Sequence, residues 1–431
     1  MTMTPPQRPL FAVLYDAGAV PAGEIGAGLA DLGDIVFLVP DRSAHVDQLR
    51  PVMELLGEVR TLTGQPAEDV ALVRALAPDA ILTFCEDMIR PGAELAAALG
   101  LPGLSVETAR LYTDKGAQRR ALRAAGVDGT AVRVVESPED WDEALRAIGL
   151  PSLAKPVTAS RSRDAYALRT PEDARAVRAR LDALAADGAW EPFILEEFLE
   201  GRASEPFGDY VSVESVCTPS GITHLVLTGK SPVVPPFRGT GRIWPSHLPR
   251  AEEAEIFALV TRALEAVGAD NGFAHTELKL TPDGPRIIEL NGRLSGHVNM
   301  MARESCGVDM VRIGALLALG EEPYLPTFDF GGKVHFQYNN LAPLRPAGLV
   351  AVHGAEAVRE LPGITAYRNF VRPGDDLPGG TSTLTLDTIS GVCEGHEAVM
   401  RTIDAARAAL TFDFRFEDGV HSLNGLELPL H

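Results

Sequence analysis

Residues 275–290 place two strand-length runs, HTELKL and PRIIEL, on either side of Thr281-Pro282-Asp283-Gly284. Proline, aspartate and glycine in that order are strong turn chemistry, so His275 to Leu280 and Pro285 to Leu290 read as the arms of a β-hairpin. Glu277 and Glu289 lie equally far from Asp283, which sets them opposite each other. Like charges facing across a ladder destabilise it unless a cation lies between them. A two-residue period carries Asn291 and Arg293 to the same face if the extended backbone continues. Two carboxylates and an amide oxygen suit a hard divalent ion, Mg²⁺ first, which keeps waters and takes phosphate oxygens as further ligands. An exposed acidic hairpin has the same spacing. The continuation NGRLSG weighs against it, because it offers an amide, a guanidinium and two glycines where a loop approaches something closely.

A chain of 431 residues exceeds one small core and implies two to four domains. The cysteines at 85, 217, 306 and 393 have no zinc-like or CxxC spacing and read as reduced, mostly buried thiols. A formal charge of −20 argues against a nucleic-acid partner. No run of about 18 apolar residues spans a membrane, and MTMTPPQRPL lacks the apolar core of a signal peptide, so the cytoplasm is the default compartment.

Along the chain, Leu10 to Tyr15, Ile35 to Val39 and Ala80 to Phe84 are buried-strand runs. They alternate with helical segments at Val20 to Leu32, Glu68 to Leu76 and Ala93 to Leu99. That alternation predicts a parallel sheet covered on both faces. The glycines at 23, 26 and 28 do not complete a dinucleotide fingerprint. Cys85-Glu86-Asp87 follows a strand end and either faces a ligand or starts a helix. After Leu101-Pro102-Gly103 the character changes. Asp114 is placed to cap a helix containing Lys115, and Lys155 ends the strand Ser152 to Pro156. Residues 157–164, VTASRSRD, are either a solvated turn or a loop that covers phosphates with hydroxyls and guanidinium groups. Thr228-Gly229-Lys230-Ser231 imitates a Walker A ending but has His224 in place of its first glycine. Arg238, Arg242 and His247 lie in a Pro/Gly-rich loop too long to be a connector. Residues 331–431 alternate short strands and turns around one helix, near Glu394 to Leu410.

Four elements in this order, Asp114-Lys115, Ala154-Lys155-Pro156, Glu196-Glu197-Phe198-Leu199-Glu200-Gly201 and Glu277…Glu289-Leu290-Asn291-Gly292-Arg293, resemble the ATP-grasp superfamily. Within it, EEFLEG followed by GDYVSVES, and HTELKL…IIELNGRLSGH, look most like the dipeptide-forming L-amino-acid ligases. The resemblance covers roughly residues 10 to 330. It implies an α/β fold: a parallel-sheet pre-grasp domain at 1–108, a small lobe and hinge at 109–200, a large lobe at 201–330 and a lid-like α/β subdomain at 331–431.

It also implies roles. Lys115 and Lys155 would hold ATP phosphates, and Glu196 would take the adenine amino group. The backbone from Glu197 through Phe198 to Leu199 would read the ring edge. Asp209 would meet the ribose, with Glu205 as a competitor. Glu277, Glu289 and Asn291 would carry Mg²⁺, with Mn²⁺ as a substitute. Arg293 would hold a developing acyl phosphate, and Gly296 would let the backbone approach the substrate. His297 either tunes which acceptor fits or is satisfied in the packing. His247, Arg238 and Arg242 are candidates for substrate or phosphate. The loop 157–164 departs from the superfamily in having no glycine.

The implied reaction joins a small-molecule carboxylate to an amine, amino acids foremost, through an acyl phosphate, releasing ADP and phosphate. A carboxylase or a nucleotide-biosynthetic ligase of the same superfamily would share the ATP residues. An inactive ATP-sensing protein would have lost at least one of them. A homodimer is the base expectation for assembly.

Overall fold

The computed structural model describes residues 8–159 and 162–428. The first seven residues, expected to be irregular, and Ser160-Arg161 in the middle of the polar loop lie outside that range.

The amino-terminal strands form a parallel sheet in the order Glu58–Leu62, Asp34–Pro40, Leu10–Leu14, Ala80–Thr83. The two central strands are apolar on both faces, and Phe11, Val13, Phe37 and Leu38 are buried between the helices that cover them. Among the elements that escaped the sequence reading, two belong to this sheet and its cover. The helix Ala44–Leu56 carries an internal Pro51, and the edge strand Glu58–Leu62 is mostly exposed, so neither shows a buried period.

A second, antiparallel sheet runs Val132–Val135, Phe193–Glu197, Ser152–Pro156, Tyr166–Leu168. Trp141 and Leu181, from the helices Trp141–Ile148 and Pro171–Ala186, pack on one side of it. Its neighbouring strands Ser152–Pro156 and Phe193–Glu197 carry Lys155 and Glu196.

The largest sheet has eight strands, beginning Gly284–Asn291, Gly272–Thr281, Tyr210–Thr218, Gly221–Lys230, Gly241–Trp244. It continues through Val334–Leu341, Thr385–Cys393 and Ile364–Asn369. Residues beyond 331 therefore extend the sheet that carries the hairpin, and they add a four-stranded sheet of their own. A two-residue period divides the faces of the hairpin end. Val211, Val213, Ala274, Leu278, Ile287 and Leu290 bury against the helix Arg250–Ala266, each of the larger side chains contributing ~1.5–3 kcal/mol. The opposite face carries Glu214, His275, Glu277, Glu289 and Asn291. Among the described residues no helix is long and apolar enough to cross a membrane.

Candidate functional site

The hairpin pairs Glu277 with Glu289, as expected, but by a different route. The turn is tighter than a four-residue loop centred on Asp283, because Thr281 pairs with Gly284 and Leu278 with Ile287. That register alone would put Ile288 opposite Glu277. A bulge between Glu277 and Leu278 leaves Ile288 without a cross-strand partner and restores the carboxylate pair. His275 then faces Asn291 on one side and Glu214 on the other.

A cleft between the small antiparallel sheet and the hairpin is lined by Lys115, Arg119, Lys155, Glu196, Glu197, Phe198, Leu199, Tyr210, Glu277, Lys279, Ile288 and Glu289. Lys115 opens the helix Lys115–Ala124, whose cap is Asp114, the carboxylate accepting from the Ala117 amide at 2.8 Å. Its amine lies 3.7 Å from Glu289 and donates to the Ala159 carbonyl at 2.6 Å, tying the polar loop to the hairpin. Ser162 in that loop donates to the Phe237 carbonyl, and the Asp164 amide donates to Thr381. Lys155 pairs with Glu196 at 2.7 Å. Burial opposes ionisation of Glu196, yet Arg119 and Lys155 outweigh it and hold the carboxyl below its usual range. The Glu197 and Phe198 amides are already bonded to the Ala131 and Pro151 carbonyls. Asp209 is paired with Lys279 at 2.7 Å, whereas Glu205 is exposed.

Charge at the hairpin is arranged in layers. His275 lies 2.6 Å from Glu214 and 3.1 Å from Glu277. Burial disfavours the imidazolium, but the two carboxylates raise its pKa. Burial likewise opposes ionisation of Glu277, and His275, Lys230 and Arg293 overcome it, so that carboxyl stays below the usual range. Arg293 Nη2 approaches Asn291 Oδ1 at 3.5 Å, and Arg293 Nε lies 2.6 Å from Glu86, the strand-end carboxylate of the parallel sheet. Burial raises the Glu86 pKa against the pull of Arg293. Lys230 and Arg242 face each other on neighbouring strands, and burial, then Arg242, lowers Lys230 to about 8.

The facing Glu277 and Glu289 oxygens with the Asn291 amide are a hard-ligand set that fits a divalent cation keeping part of its water shell. Among the described residues no group of three or more His, Cys, Asp or Glu side chains is placed to hold a metal, so this set depends on its amide and on added ligands.

Other expected residues sit elsewhere. His247 stacks on Phe207 at 4.0 Å, near His396, and burial, then His396, lowers its pKa to about 4. That ring lies among packed aromatic groups and does not line the cleft. Arg238 is buried and donates to the Pro235 and Ala342 carbonyls, which makes it a loop brace. Arg242 stays on the site face, with Gln337 at 3.3 Å. His297 has a left-handed backbone, φ 64°, at the start of the helix Val298–Cys306, its ring 5.5 Å from Phe370. A side chain at Gly296 would meet no protein atom, whereas one at Gly292 would strike Tyr112 at 2.6 Å.

The sequence reading missed Arg119 and the Glu214–His275 pair. Arg119 lies four residues after Lys115 and so on the same helix face, a signal that was available. Glu214 and His275 are joined only by strand register.

No family model matches the chain. It is 27% identical over 404 residues to alanine–anticapsin ligase of Bacillus subtilis, an alignment covering 89% of this chain and 78% of that protein. The crystal structure of an L-amino acid ligase from Bacillus licheniformis matches with a TM-score of 0.73 at 18% identity, over 97% of this chain and 99% of that one. The biotin carboxylase domain of Hydrogenobacter thermophilus 2-oxoglutarate carboxylase, solved with MgADP, ADP and bicarbonate, matches with a TM-score of 0.69 at 15% identity, over 96% and 92% of the two chains.

Proposed function

We infer that this chain, which has the ATP-grasp fold and a sequence similar to amino-acid ligases, is an ATP-dependent carboxylate–amine ligase acting on an amino acid. The observation that carries the reading is one cleft lined by Lys115, Lys155 and the facing Glu277 and Glu289, with the Lys115 amine 3.7 Å from Glu289 and the Lys155 amine held by Glu196. Glu277, Glu289 and Asn291 would hold Mg²⁺, or Mn²⁺ in its place. Either ion, when bound, neutralises phosphate charge.

A carboxylate and an amine do not condense at neutral pH, so the acid must be activated. The substrate carboxylate attacks the γ-phosphorus of ATP, the bond to the β-phosphate oxygen breaks, and an acyl phosphate and ADP form. Phosphoryl transfer asks mainly for positioning and charge neutralisation. Lys115 and Lys155, which line the cleft, supply both. The wall from Glu196 to Leu199, with Phe198 and Phe237 6.2 Å apart, would receive the base, and Asp209, paired with Lys279, would meet the ribose. The neutral amine then attacks the acyl carbon, phosphate leaves, and the amine gives up a proton. Arg293 holds the oxyanion and the departing phosphate. Lys230 and Arg242 form a cationic wall for substrate carboxylate or phosphate, while Gly296 and His297 border the acceptor.

The test is phosphate release from ATP and Mg²⁺ against single amino acids and amino-acid pairs, with mass spectrometry of each positive mixture. ADP, phosphate and a product of condensed mass support the ligase. Tight ATP binding with no phosphate release from any pair would turn the search to other acids and amines.

A further inference from the structure

Arg119 lies one turn beyond Lys115 on the same helix, and its side chain is 4% exposed. The guanidinium spans three elements. Nε donates to Glu196 at 2.9 Å, Nη1 to the Ile287 carbonyl at 2.7 Å and Nη2 to the Ile288 carbonyl at 2.9 Å, with Asp128 3.7 Å from Nη1. Ile288 is the extra residue of the bulge that sets Glu289 opposite Glu277. A bulged residue loses its place in the ladder, so a carbonyl there needs a donor from outside the pair. Glu196, on the other end of the guanidinium, holds the Lys155 amine.

We propose that Arg119 is a positioning residue that couples the cleft to the hairpin, fixing the bulge that pairs Glu277 with Glu289 and, through Glu196, the amine of Lys155. The inference rests on the reading of the cleft as a nucleotide site. One rigid, planar fork satisfies a carboxylate and two adjacent carbonyls together, which an ammonium on a flexible stem cannot reproduce. Losing it frees the bulge to migrate, and a one-residue slip turns Glu289 away from Glu277. Lys155 and the hairpin carboxylates then no longer hold a fixed separation, so a metal–nucleotide complex that touches both sets loses more than a nucleotide touching one.

The measurement is ADP affinity by calorimetry, in Mg²⁺ and in EDTA, for the parent protein, Arg119→Lys, Arg119→Gln and Arg120→Gln. Arg120 is the exposed neighbour on the same helix and serves as the control. Cooperative thermal unfolding establishes that each variant is folded. The gain in ADP affinity conferred by Mg²⁺ is expected to fall at least tenfold in the folded Arg119 variants and to stay at the parent value in Arg120→Gln. A purely structural arginine would lower the Tm and leave that gain within twofold of the parent, which would overturn the proposal. Failure of both Arg119 variants to fold would overturn it as well. A parent protein that binds no ADP in either buffer would instead remove the nucleotide reading, and the proposal with it.

Discussion

Glu86 Oε2 lies 2.6 Å from Arg293 Nε, so a carboxylate at the end of a parallel strand near the amino terminus anchors the guanidinium that follows the hairpin. Burial already disfavours ionised Glu86. Glu86→Gln keeps the shape and removes the charge, and its main effect is to loosen Arg293. The expected result is a kcat roughly tenfold lower, an unchanged KM for ATP and a Tm close to the parent. Steady-state kinetics with thermal unfolding checks it, and an unchanged kcat would show that Arg293 does not depend on Glu86.

Arg293→Ala does two things at once. It removes the group assigned to the acyl phosphate, lowering turnover by about 10²- to 10³-fold, and it strands Glu86 in a buried site. An uncompensated buried charge costs about 3–5 kcal/mol. Arg293→Ala is therefore expected to be less stable than Arg293→Ala combined with Glu86→Gln, while both lack activity. Urea unfolding of the four proteins of this cycle gives the coupling directly. Additive stabilities would mean that the pair contributes nothing.

Glu289→Ala removes one of two facing carboxylates and relieves like-charge repulsion. The fold is expected to persist and turnover to disappear. Retained phosphate release in Glu289→Ala would remove the assigned role of the hairpin.

The hairpin was legible because turn chemistry and a two-residue period act locally, and they placed Glu277 opposite Glu289 even though the bulge at Ile288 was invisible. The bulge could not be read because the group that bonds its free carbonyl, Arg119, sits on a helix far away in sequence. His247 shows the opposite failure. A histidine in a long Pro/Gly-rich loop invites a ligand reading, but the loop folds back and stacks the ring on Phe207, a contact no local pattern announces. Glu196 was legible as a cleft residue, yet its partners Lys155 and Arg119 come from a strand and a helix that only the tertiary fold brings together.

Gly292, between Asn291 and Arg293, allows Tyr112 to pack against the backbone, and a Cβ there would lie 2.6 Å from a buried ring carbon. A ring wedged in the core cannot move as the end of a flexible chain can, so Gly292→Ala must shift either the ring or the strand end. Overpacking of this kind costs about 1–3 kcal/mol. The same shift displaces Asn291 and Arg293, so activity is expected to fall along with stability. Gly292→Ala with Tyr112→Leu should recover part of both, measured by unfolding and by phosphate release. No recovery would mean that the strain lies elsewhere.

Lys230 is 6% exposed and faces Arg242 on the neighbouring strand, with Glu277 and Glu214 partly offsetting its charge. Burial first, and Arg242 second, bring its pKa from 10.5 to about 8. Between those two values the unfolded chain holds a proton that the folded chain has released, so stability from this group rises as pH rises through the window. Below pH 8 the folded protein carries the full cost of the buried charge. Lys230→Met is therefore expected to unfold at higher urea at pH 7, a gain on the order of 3 kcal/mol, and to lose most of that gain by about pH 10. The same variant should lose turnover, because the proposed function has this amine receive an anionic group of the substrate. A gain equal at both pH values would mean that packing, not charge, separates the two proteins. A fully active Lys230→Met would leave the buried amine without its assigned role.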